Sequence, residues 1–277
     1  MKKYIPYANL LALGAGAFGM LLQFLLYWGG TDEKGLYPAA HPAWVLLCVL
    51  FPAVVIFLWL LTRKVGISRN YRGNFPASLS AAAGYLVAAA GLLFAGIRNL
   101  DNDKLIYLIS GSLGILGSIL LLWAAWCRYR GQKCTGMPHA LPCFFFALQL
   151  FVIGQSLGAE PELCRYLFRF LAILSMLPAC YLLWGFDVGM GKRQNCMFWC
   201  LTSGYLNLVA IAGNPQWLLH LCMAAWMLSA LPRLQYLPKK PRPAPVEECQ
   251  AQTIEPIAPQ EVDALLDQIL SDLDTKP

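Results

Sequence analysis

Charge is what this chain has least of. Only 13% of its 277 residues are Asp, Glu, Lys or Arg, against about 25% in an ordinary soluble domain. A disordered chain needs more charge and less hydrophobicity, and a nucleic-acid binder needs a basic surface. Both classes are therefore excluded, together with a water-soluble enzyme. Histidine is scarce as well, at three residues, His41, His139 and His220. They are expected on the outer, inner and outer side of the membrane respectively, so paired axial ligands for haem are lacking, and no cofactor is expected. No Asp, Glu or Lys lies near the centre of a long apolar stretch, which disfavours ion-coupled transport through a buried carboxylate. The chain has no Asn-x-Ser/Thr acceptor, which fits a bacterial plasma (inner) membrane.

What is abundant is hydrophobicity: 58% of residues belong to the set AVILMFWYC. A bilayer-crossing helix takes about 20 apolar residues, and eight stretches approach that length: 5–28, 43–62, 76–97, 105–126, 141–158, 166–186, 196–213 and a short one at 216–231. The expected fold class is an all-α integral membrane protein of eight transmembrane helices in four hairpins over residues 1–232. The first stretch is too long for a signal-peptide core and holds Gln23, Tyr27 and Trp28, so it reads as an uncleaved span.

Basic residues set the expected orientation, because loops on the cytoplasmic side carry the excess of Lys and Arg. With both termini cytoplasmic, sixteen of the 21 fall inside and five outside, the latter being Lys34, Arg98, Lys104, Arg165 and Arg169. Each even-numbered span ends inside with Trp and then a basic residue: Trp59, Trp126, Trp184 and Trp226. An interfacial aromatic belt explains this pattern; a fourfold hairpin repeat is the sharper alternative. Small residues spaced for close packing occur in the first span (Ala12, Gly16, Gly19), the third (Gly84, Ala88, Gly91) and the fourth (Ser110, Gly114, Ser118). These three spans are expected to form a close-packed group, with the bulkier second, fifth and sixth around them.

Few motifs carry chemistry. Gly154-Gln155-Ser156-Leu157-Gly158 matches the nucleophile elbow of serine hydrolases, but the elbow needs a strand-to-helix turn and this one lies in an apolar helix. An intramembrane hydrolase using Ser156 and His220 is the weakest of the alternatives, and Gly154/Gly158 is more simply a helix-packing pair. Cys127, Cys134, His139 and Cys143 supply four zinc-type ligands at spacing looser than usual; apolar filler is the preferred reading of the cysteines. Asp187–Arg193 lacks the Ser/Thr and the glycine spacing of a phosphate loop and reads as a basic turn. Neutral polar residues remain in the spans: Gln149, Tyr181, Ser203, Tyr205 and Asn207. They are candidates for a small ligand cavity, with interhelical hydrogen bonding as the plainer alternative. Arg165 and Arg169, at the outer entrance of the sixth span, suit an anion.

The composition changes after Pro232. Residues 233–258 are basic and then rich in proline, an extended tether. Within 259–277, Val262, Leu265, Leu266, Ile269, Leu270 and Leu273 form one apolar helical stripe opposite Asp267, Asp272 and Asp274. An acidic amphipathic helix suits a protein groove better than a membrane surface, so residues 259–274 are expected to dock a cytoplasmic protein or the inner loops of the same chain. The expected partners are thus the bilayer and that docking surface, with no nucleic acid and with oligomerisation left open. The expected function is non-enzymatic: a membrane scaffold or regulatory subunit whose tail docks a partner, or alternatively a permease-like protein for a small polar or amphiphilic solute.

Overall fold

The computed structural model describes residues 7–29, 41–65, 71–157 and 163–231. These residues are entirely helical apart from turns, with no strand among them. The helices are α1 (Ala8–Trp28), α2 (Pro42–Arg63), the single turn α3 (Tyr71–Asn74), α4 (Leu79–Leu100), α5 (Leu105–Arg130), α6 (Met137–Leu157), α7 (Leu163–Asp187), α8 (Arg193–Val209) and α9 (Trp217–Ser229). Six of them, α1, α2 and α4 to α7, are long and apolar enough to cross a bilayer. Many of their large apolar side chains face outward, Leu10, Phe18 and Leu21 on α1 and Val49, Ile56 and Phe57 on α2 among them. Such a surface is untenable in water, and the chain is a polytopic helical membrane protein.

The last two expected spans depart from that pattern. The stretch read as 196–213 is helical only over the 17 residues of α8, and the stretch read as 216–231 only over the 13 of α9. Between them Gly213 turns the chain with φ of 67°, a left-handed conformation that a Cβ disfavours. The tail stripe from Val262 to Leu273 lies outside the described residues, as do the tether and the loop residues Glu160 and Glu162; Arg165 falls in the first turn of α7.

Helix ends follow local rules. His41 caps α2, its Nδ1 accepting from the Ala43 amide at 3.3 Å, and Pro42 occupies the first turn, where no amide is needed. Ser78 caps α4 by accepting from Ala81. α5 ends on Gly131 at φ 68°.

Packing partners differ from the expected grouping. α4 and α5 do pack together, as their small residues suggest: a Cβ on Gly96 would stand 2.9 Å from the Gly111 carbonyl oxygen, and one on Gly111 would stand 2.8 Å from the Gly96 oxygen. α1, however, lies on α8 and α2. Gly16 and Gly19 receive Leu208 and Val209, while on α4 Gly84 and Gly91 receive Ser229 and Cys222 of α9. Small residues open a groove, but the bulky side chain that fills it is set by the partner, which periodicity within one helix does not reveal. α8 consequently sits at the centre, against α1, α2, α7 and α9, and is buried on nearly every side.

Three helices are also clasped by polar groups. Asn99 of α4 donates to Ser110 Oγ of α5 at 3.2 Å, and Gln149 of α6 donates to the same oxygen at 3.0 Å. Each such bond contributes about 1 kcal/mol in a bilayer.

The α4–α5 contact is testable against an internal control. Gly96→Leu drives a side chain into the α5 backbone, and overpacking of this kind costs about 1–3 kcal/mol. Gly14 of α1 has no atom near the position of a Cβ, so Gly14→Leu is expected to be near neutral. Thermal unfolding in detergent should separate the two variants, and equal losses would contradict the packing.

Candidate functional site

Two sites emerge, one at each end of the bundle. The first is at the basic end, where α5, α7 and α9 finish and α4 and α6 begin. His139, in the first turn of α6, is 4% exposed. Its Nδ1 lies 2.5 Å from Asp187 Oδ2, on the last residue of α7, and its Nε2 lies 2.6 Å from Tyr85 Oη of α4. A carboxylate only accepts, so Nδ1 carries the proton, and Nε2 of the neutral ring accepts from the tyrosine. Trp226 of α9 lies nearly parallel to the imidazole, at an interplanar angle of 14°, and meets Tyr85 edge to face. Arg128 of α5 completes the cluster. It is buried, and its guanidinium lies 4.1 Å from the Phe75 ring centre, a cation–π contact. Asp187 Oδ1 and Arg128 Nε have no hydrogen-bond partner among the described residues.

Groups in the flanking loops respond to this environment. Burial raises the Tyr71 hydroxyl pKa, with Arg128 opposing the shift. Burial likewise raises the Cys134 thiol well above its ordinary value, reinforced by its neighbour Cys127. A metal needs the thiolate, and His139 is already engaged at both nitrogens, so the zinc string does not assemble. Cys143 instead faces the Leu177 carbonyl at 3.7 Å, and among the described residues no three His, Cys, Asp or Glu side chains converge on a metal position.

The second site is a cleft of about 880 Å³ at the opposite end. Gln23, Phe24 and Tyr27 of α1, Tyr166, Phe168 and Arg169 of α7, and residues 210–215 with Trp217 form its walls. Its volume is in the range of small-molecule sites. The loop between α8 and α9 is held in shape by three contacts: Asn214 accepts from the Gln216 amide at 2.9 Å, Arg169 Nη2 donates to Gln216 Oε1 at 3.3 Å, and Arg98 donates to the Pro215 carbonyl. Gly213 is required twice there, by its positive φ and because a Cβ would stand 2.8 Å from the Tyr27 ring. Phe168 closes the back of the cleft, edge to face with Trp44 and Phe51 of α2. Arg169 Nε and the buried Gln23 Oε1 have no hydrogen-bond partner among the described residues.

No protein-family model, curated protein or solved structure matches the chain. The two sites therefore rest on their own chemistry.

The polar span residues do not form one cavity. Gln149 is taken up by Ser110. Tyr181 is 59% exposed on the outer face of α7, edge to face with Trp184. Ser203 and Asn207 do share a face of α8, in a buried chain: His220 Nδ1 to Asn207 Oδ1 at 2.8 Å, Asn207 Nδ2 to Ser203 O at 2.8 Å, and Ser203 Oγ to Met176 Sδ at 2.8 Å. Tyr205 is buried among apolar neighbours. His220, offered as the base for Ser156, is thus bound to Asn207; the Ser156 side chain lies outside the described set. Sequence reasoning missed Tyr85, Asp187 and Arg128, the last two of which had been taken as loop charges. A usable signal was present: His139 and Asp187 stand at the adjoining ends of consecutive helices of one hairpin.

Removing one partner of a buried hydrogen bond to a charged group costs about 1–3 kcal/mol. Asp187→Ala is expected to lose stability on that scale, and Tyr85→Phe about 1 kcal/mol. In a double-mutant cycle, His139→Ala should cost far less once Asp187 is gone. Additive losses in detergent-solubilised protein would show that the two residues act independently.

Proposed function

We propose that this protein is a non-enzymatic, permease-like membrane protein that takes a small polar or amphiphilic solute into the cleft between α1, α7 and the α8–α9 loop. The observation that carries the reading is the cleft itself. It is concave, walled by aromatic rings, and contains polar atoms with no partner among the described residues, which is the make-up of a small-molecule site. Gly213 supports it, because a backbone conformation restricted to glycine is retained where the loop meets Tyr27. The Tyr85–His139–Asp187 chain supports a structural rather than catalytic part for the basic end, since its tyrosine hydroxyl is committed to His139 and both rings are buried.

The test is ligand retention. Native mass spectrometry of the full-length protein, purified from its own membranes, should show a small molecule bound to the wild type and absent from Gly213→Leu, which strains the loop and fills the cleft. A wild type that neither carries a molecule nor takes one up from a metabolite panel would end the reading.

A second reading rests on the acidic stripe of Val262, Leu265, Leu266, Ile269, Leu270 and Leu273, the feature behind the scaffold expectation. In that reading the tail docks a cytoplasmic protein. Deletion of residues 258–277 should then remove a stoichiometric partner from the purified protein; unchanged co-purification would dismiss it.

A further inference from the structure

Two arginines meet at the α8–α9 loop beside the cleft. Arg169 is near enough to Arg98 for the two guanidinium groups to repel, and both are tied to consecutive residues of the α8–α9 loop, Pro215 and Gln216. No Asp or Glu is among the described residues lining the cleft. The buried carboxylate Asp187 is at the other end of the bundle, bonded to His139. Two guanidinium groups on one loop, with no carboxylate among the described residues of the cleft wall, create a local positive potential that favours an anion.

Geometry gives the anion a place. Arg169 Nη2 donates to Gln216, while its Nε has no acceptor among the described residues. A guanidinium N–H left without an acceptor can donate to a carboxylate or phosphate, a charge-assisted bond stronger than a neutral one. The rings beside it, Phe24, Tyr27 and Trp217, are between 39% and 51% exposed, which leaves apolar surface for the body of the same ligand. A purely inorganic anion would leave those rings uncovered.

We infer that the cleft selects an amphiphilic anion, a carboxylate or phosphate group on an apolar body, with Arg169 holding the anionic group and the α1 and α9 rings holding the rest. This rests on the cleft being a ligand site. The chemistry is shared by acidic lipids and by water-soluble aromatic acids.

Full-length protein in phosphatidylcholine nanodiscs offers the test, with 2-naphthoate, neutral 2-naphthalenemethanol and cationic 2-naphthylmethylammonium as probes and saturation-transfer NMR as readout. The wild type should bind 2-naphthoate at least tenfold more tightly than the alcohol and should bind the ammonium weakest. Arg169→Gln should remove the tenfold preference while still binding the alcohol, and Arg169→Lys should keep part of it. Unfolding temperatures of both variants verify that they fold, and alcohol binding verifies that the cleft survives. Phosphatidic acid added to the nanodiscs separates the sources: displacement of 2-naphthoate supports a lipid, and undiminished binding supports a soluble acid. Equal binding of naphthoate and alcohol by the wild type would overturn the anion assignment and leave the cleft reading standing. Binding of none of the three probes would overturn both.

Discussion

Asp187 ends α7 with its side chain shut away from solvent, and the cost of burying a carboxylate shapes the basic end of the bundle. An isolated ion in such surroundings costs several kcal/mol, so it must be met by donors and opposite charge. His139 meets it from α6, is itself oriented by Tyr85 from α4, and is covered by Trp226 from α9; Arg128 brings positive charge from α5. One charged atom thus engages the ends of five helices. In a bilayer, where apolar surface gains little by turning from lipid to protein, such a junction is a main reason for these helices to adopt a single arrangement.

At the opposite end, as at the basic end, some polar groups are left incomplete. The loop after α8 is shaped by Asn214 and Gly213 and tied by two arginines, yet Arg169 Nε and Gln23 Oε1 have no hydrogen-bond partner among the described residues. A buried polar group without a partner costs about 1–3 kcal/mol, and such a cost is characteristic of places where a ligand supplies what the protein does not. Open room of about 880 Å³ beside these groups sets the cleft apart from the ring-packed basic end. Between the two, the Asn99–Ser110–Gln149 clasp and the His220–Asn207–Ser203 chain carry interhelical hydrogen bonds through the middle of the bundle.

Several expectations fared differently for identifiable reasons. The long apolar runs placed α1, α2 and α4 to α7 within a few residues, because a segment that crosses lipid must satisfy its own backbone and so declares itself locally. α8 starts three residues before the expected 196 and ends at Val209, four short of the expected 213, since the turn at Gly213 is itself made of apolar and small residues; α9 ends two residues short of the expected 231. Arg128 and Arg193 were counted as exposed markers of orientation, whereas both are buried; composition cannot tell a cation facing headgroups from one facing aromatic rings. Trp59, Trp123, Trp126 and Trp184 are at least 38% exposed, as an interfacial belt requires, while Trp226, alike in sequence context, is enclosed.

What the amino-acid sequence determined alone was the solvent and the elements: a membrane body of long apolar helices, their approximate ends, and the glycines able to approach a neighbour. These properties follow from hydrophobicity and hydrogen bonding within one segment. Only the tertiary structure decided which helix fills which groove, that α1 belongs with α8, that Asp187 finds His139, and that Arg98 and Arg169 converge on one loop. Those facts depend on side chains far apart in the chain, matched by shape and charge, and no spacing along a single strand of residues encodes them.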